Sequence, residues 1–141
     1  MLLVGAMPFA QANADPSEVF NRRCGVCHMP SGVGVPGAFP PLRSQITALA
    51  ASAAGRDYLV AVLTYGRSGG LRVDGATYNG MMPPQALSDT EAAELLNYTL
   101  DGLNVRTRDT QLFSAEEVAA IRKRIPVGDM NATAGLRPDL P

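Results

Sequence analysis

Apolar residues recur at helical spacing in several stretches, separated by segments dense in glycine and proline. Val19, Phe20 and Cys24 share one face of a helix that the spacing predicts from Asp15 to about Cys24. Asp15-Pro16-Ser17-Glu18 opens it: aspartate caps, proline takes the first helical position and Glu18 the third. Alanine-rich Ser44–Ala54 predicts a second helix, broken at Gly55. Leu59, Val62 and Leu63 mark a third over Arg56–Tyr65, stopped by Gly66. Ser88 caps a strong helix over Asp89–Leu100, with Glu91 at its third position and Gly102 as its stop. Ala92, Leu95, Leu96 and Tyr98 or Thr99 form its inward face, so Phe20 and Tyr98 are expected to meet where the first and last core helices cross.

The connecting segments read differently. Met29–Leu42 is a loop, and Gly66–Gly80 holds at most a short strand or hairpin around Leu71-Arg72-Val73. After Gly102, Ser114-Ala115-Glu116-Glu117 starts a short helix through about Arg124, with Val118, Ala119 and Ile121 as its docking face. Its last turn, Arg122-Lys123-Arg124, suits the negative end of a helix dipole. From Ile125 onward no regular structure is expected.

At 141 residues with 46% hydrophobic content, the length fits one folded domain. Twelve basic against 13 acidic residues supply no excess charge for a nucleic-acid partner. No stretch approaches the roughly 20 apolar residues that span a bilayer. Residues 1–14 form a short apolar run ending Ala12-Asn13-Ala14, which fits a signal-peptide cleavage site. The positive segment that should precede such a run is missing, since no Lys or Arg comes before Arg22, so either the true start lies upstream or the leader is incomplete, with a plain apolar N-terminus as the simpler alternative.

The most specific chemistry lies in Cys24-Gly25-Val26-Cys27-His28, which holds both cysteines and the single histidine of the chain. This C-x-x-C-H reads as a c-type haem attachment site. Two thiols add across the haem vinyl groups as thioethers, and His28 is placed to ligate the iron. A zinc site needs four ligands, and two Cys with one His fall short. A redox dithiol leaves His28 unexplained, and a disulfide across C-x-x-C closes too small a loop to staple a fold.

No second histidine exists for the opposite face of the iron, which leaves Met, Lys, the amino terminus or water. Met1 and Met7 lie in the leader, Met29 adjoins His28, and Met130 lies in the polar tail. Met81 and Met82 remain, within Tyr78-Asn79-Gly80-Met81-Met82-Pro83-Pro84. Core packing is the ordinary use of methionine. Here the two prolines fix φ and cut the entropy of holding a thioether still. Met82 is favoured because Pro83-Pro84 follows it directly. His/Met ligation stabilises ferrous haem and suits an electron carrier.

These motifs together resemble the class I monohaem cytochromes c, particularly bacterial members acting with periplasmic dehydrogenases and oxidases. The resemblance rests on Cys24–His28, on Gly32-Val33-Gly34-Val35-Pro36-Gly37-Ala38-Phe39-Pro40-Pro41-Leu42, on Tyr78–Pro84 and on Leu87-Ser88-Asp89, in that order. It covers roughly Asp15 to Gly102. It implies an all-α fold wrapped around one covalent haem c, here with a C-terminal helical extension over residues 103–141. It implies that a loop proline carbonyl accepts a hydrogen bond from the ligating histidine: Pro40 by position, with Pro41 the near alternative. The first helix of this family often has a small residue at its crossing with the last. Pro16-Ser17-Glu18 stands there, so the crossing is expected to shift. Tyr65 and Tyr78 are candidates to pack on the porphyrin or bond a propionate, or else to serve as ordinary core tyrosines. Arg43 and Arg67 are candidate propionate partners, with a solvated surface as the simpler reading.

The leading expectation is a periplasmic, non-enzymatic electron carrier, or the small haem subunit of a dehydrogenase, with a dehydrogenase or terminal oxidase as redox partner. The competing expectations are a gas-binding or catalytic haem protein with a labile Met, and a C-x-x-C thiol oxidoreductase. Gly25-Val26, Gly32–Ala38 and Gly80–Gln85 carry no charge and Lys123 is the one lysine, so an apolar docking patch is expected. Arg22, Arg23 and the Arg122–Arg124 cluster would add a basic rim if the tail helix folded back near the haem.

Overall fold

The computed structural model describes residues 14–103, 105–126 and 128–140. The proposed leader and its cleavage site fall outside the described residues, apart from Ala14. The described elements are α1 (Pro16–Phe20), a π-helical turn (Asn21–Gly25), α2 (Val26–His28), α3 (Ile46–Ala50), α4 (Ala53–Tyr65), β1 (Leu71–Val73), β2 (Ala76–Tyr78), α5 (Asp89–Asp101), α6 (Ala115–Arg124) and α7 (Met130–Ala134).

Capping follows from local chemistry. The Asp15 carboxylate accepts the Ser17 N–H at 2.8 Å, with Pro16 at the first position. Ser88 and Glu91 form a reciprocal capping box, and Ser114 caps α6 through the Glu117 N–H. The first helix runs past its expected end at Cys24 to His28, with the π-helical turn inside it. That continuation puts Cys24, Cys27 and His28 on one helical segment.

Three expectations need correction. The break in the alanine-rich region falls at Ala51-Ser52, not Gly55, because the Ser52 hydroxyl caps α4 through the Gly55 N–H at 3.0 Å. Gly55 lies inside the helix at a close approach, where a Cβ would overlap the Leu49 backbone. Gly102 does end α5, but with right-handed φ −67°, not in the left-handed conformation of a glycine stop. The tail after Ile125 is also not irregular: Asp129 caps α7 through the N–H groups of Asn131 and Ala132.

The core lies where α1, α4, α5 and α6 meet. Phe20 and Leu100 are fully buried, as are Val60, Val118 and Ile121. Phe20 meets Tyr98 with ring centroids 5.1 Å apart at 48°, a tilted aromatic contact at the α1–α5 crossing. Arg56 ties α4 to the chain before α6: it pairs with Glu117 at 2.6 Å, donates to the Ala50, Gln111 and Leu112 carbonyls, and lies over the Phe113 ring. Asn97 holds the same segment by two bonds to the Phe113 backbone. β1 and β2 form an antiparallel hairpin across Asp74-Gly75, the only sheet among the described residues.

Candidate functional site

One large cleft opens between α2, the Met29–Leu42 loop, α3, α4, the hairpin and the Gly80–Gln85 segment. It encloses about 1190 Å³ of empty space, its mouth included. Most of its lining is apolar, from Ile46 and Leu49 of α3, Leu59 and Val62 of α4, and Leu71 and Val73 of β1.

Cys24, Cys27 and His28 line one wall because the helix runs on without a break to His28. Cys24 and Cys27 are not joined in a disulfide, which leaves both sulfurs available to haem. Burial pushes the Cys24 thiol up to about 11, against a weaker opposing pull from Arg23.

His28 is buried, and its Nδ1–H donates to the Pro40 carbonyl at 2.8 Å. Burial holds the imidazole below its ordinary pKa, with the Pro40 bond opposing. The ring is therefore neutral around pH 7, with Nδ1 committed to Pro40 and Nε2 left as a lone-pair donor. Gly34 makes this bond possible. Its φ is +70°, and a Cβ there would collide with the Phe39 carbonyl and lie 2.7 Å from the Pro40 carbonyl carbon.

Met81 and Met82 both border the cleft. Met81 is 65% exposed, whereas Met82 is half-buried against the core. The Met82 backbone forms a two-bond bridge with Arg67, at 2.8 and 2.9 Å. Tyr78 lines the cleft from β2 and is buried. Tyr65 does not line it. As the last residue of α4 it packs half-buried on the helical core.

Sequence reasoning missed one cluster. Tyr58, Gln45 and Arg137 line the cleft together with Arg67. Arg137 donates to the Gln45 side-chain oxygen. Burial raises the Tyr58 hydroxyl pKa, while Arg67 and Arg137 beside it pull the other way. Arg67 Nε is buried with no hydrogen-bond partner among the described residues. Arg43, the other arginine considered, is exposed and outside the cleft. Tyr58 was open to discovery, lying one helical turn before Val62; Arg137 carried no sequence signal.

Residues 14–102 match the family model described as Cytochrome c. The chain is 40% identical over 126 residues to a cytochrome c-552 of Thermus thermophilus, covering 87% of this chain and 83% of that protein. A second Thermus thermophilus cytochrome c-552 is 40% identical over 114 residues, covering 79% and 86%.

Proposed function

The chain belongs to the cytochrome c family, electron-transfer haem proteins with covalently bound haem c, and on that premise we propose that it is an exported single-electron carrier with His28 and Met82 on the two faces of the iron. When bound, haem c supplies the iron that takes up and gives up one electron.

The residues fit that group. The cleft is apolar where a porphyrin would pack, and both thiols and His28 share one wall. Arg67, with its unpartnered Nε, and Arg137 offer cationic donors for the haem carboxylates, and the buried Tyr58 hydroxyl stands beside them. In this reading Cys24 and Cys27 hold the haem covalently. His28 binds through Nε2, and Pro40 orients its ring and increases its basicity. Met82 supplies the thioether, and Tyr78 packs at the hairpin wall. The surrounding apolar side chains exclude water and so tune the potential.

The observation that carries the reading is the convergence of Cys24, Cys27, His28 and Met82 on one cleft. Denaturing electrophoresis with haem-peroxidase staining tests the attachment; loss of haem into acid-acetone rejects it. Met82→Ala should abolish the far-red iron–sulfur charge-transfer band of the ferric protein and lower the potential, while Met81→Ala keeps the band. The reverse pattern moves the ligand to Met81.

Export and a periplasmic dehydrogenase or oxidase partner complete the proposal. No helix among the described residues is long and apolar enough to cross a membrane. Val26, 70% exposed, lies in the attachment helix, and exposed Met81 and Phe39 border the cleft, giving a partner an apolar surface to meet with exposed Arg23 at its edge. The basic rim gains no support from α6: Arg122 pairs with Asp89 and Arg124 with Asp57.

A further inference from the structure

The tail beyond the family match touches residues 66–68, and these pair in turn with Met82. Arg67 and Met82 pair backbone to backbone, N–H to carbonyl in both directions. The next residue, Ser68, is held from the tail: its N–H donates to the Met130 carbonyl at 2.9 Å, and its hydroxyl to Asn131 Oδ1 at 2.6 Å. On the other side, Gly66 has φ +73°, and a Cβ there would strike the Met82 carbonyl and lie 3.0 Å from Met130 Cγ. Residues 66–68 are therefore held between Met82 and the first turn of α7.

The tail is itself anchored. Thr133 is 1% exposed, Leu136 packs on the core, and Arg137 reaches Gln45 of the cleft wall. The Gly80–Gln85 segment, by contrast, has no regular structure; its backbone is held by the Met82 bridge to Arg67 and by the Gln85 N–H on the Leu63 carbonyl at 2.8 Å. What restrains Ser68 also restrains Arg67, and with it Met82.

We propose that α7 braces the distal side of the site, with Asn131 as a positioning residue that keeps the Met82 thioether from swinging out. This rests on Met82 being the distal ligand. An added ligand that competes with Met82 binds only the fraction of molecules in which the segment has opened, so its apparent affinity reports that fraction. Local opening of this kind is set by the few bonds that hold the segment.

Imidazole titration of the ferric holoprotein tests the brace. Asn131→Ala removes one hydrogen bond from an exposed side chain and should tighten imidazole binding about five-fold, the equilibrium worth of one such bond. Exchange of the Met82 amide should quicken by a similar factor. Deleting residues 129–141 should tighten binding further. Glu117→Gln weakens the fold away from Met82 and should lower the melting temperature with imidazole affinity unchanged. Unchanged affinity in Asn131→Ala overturns the brace, as does an equal gain in Glu117→Gln. Met82→Ala separates the two failures. If it binds imidazole no tighter than the unaltered protein, the ligation reading falls and takes the brace with it. If it binds tightly while Asn131→Ala does not, the brace alone falls.

Discussion

The Pro40 carbonyl accepts the His28 Nδ1–H at 2.8 Å, and it reaches the ring only because Gly34 leaves room behind it. Gly34→Ala would push the Phe39-Pro40 backbone away and strain a left-handed position. With His28 as the proposed iron ligand, the bond would increase imidazole basicity and so favour ferric iron; weakening it should raise the reduction potential. Overpacking should also cost about 1–3 kcal/mol of stability. Voltammetry and thermal melts of the holoprotein check both, and an unchanged potential would show that Pro40 does not tune the ligand.

Arg137→Gln should lower the potential and make it more dependent on pH. A guanidinium beside a haem carboxylate holds that carboxyl's pKa down and favours the less positive, ferrous state. Without it, the carboxyl titrates at higher pH, and the potential falls as pH rises through that range. A potential–pH curve identical to that of the unaltered protein would remove Arg137 from the site.

Arg56→Ala should destabilise the fold by about 1.5–3 kcal/mol, because it removes charge-assisted bonds to Glu117 and to three backbone carbonyls. The haem spectrum should not change, since Arg56 does not line the cleft. The Arg56 bond holds the Glu117 carboxyl below its ordinary 4.5. Its stabilising contribution is therefore complete above pH 4.5 and lost as pH falls through the lower folded-state value. Denaturant melts should show Glu117→Gln less stable at pH 7, with the difference shrinking below pH 4.5.

Electron transfer to the physiological partner should depend weakly on ionic strength. The exposed apolar side chains around the cleft offer no charge to steer association, and two of the three basic residues of α6 are engaged by Asp89 and Asp57. Val26→Asp should slow transfer with the potential unchanged. Stopped-flow rates that fall steeply with salt would point instead to Arg22 and Arg23.

The sequence alone determined what depends on neighbouring residues. Asp15, Ser88 and Ser114 cap their helices because a short polar side chain bonds the backbone two or three residues on. Gly66 ends α4, and helical spacing foretold the contact of Phe20 with Tyr98. The C-x-x-C-H run declared its chemistry without any coordinates. Tertiary structure decided what depends on distant partners. Gly55 continues a helix because it packs on the Leu49 backbone, an approach its own local preference does not encode. Arg137 reaches Gln45 across 92 positions, and Asn131 reaches Ser68 across 63. Met82 stands apart from Met81 through its bridge to Arg67, a pairing of two segments that neither specifies alone. Such contacts form only once the chain has folded and the entropy of closing the intervening loops has been offset by burial elsewhere, so they leave no periodic trace in the sequence.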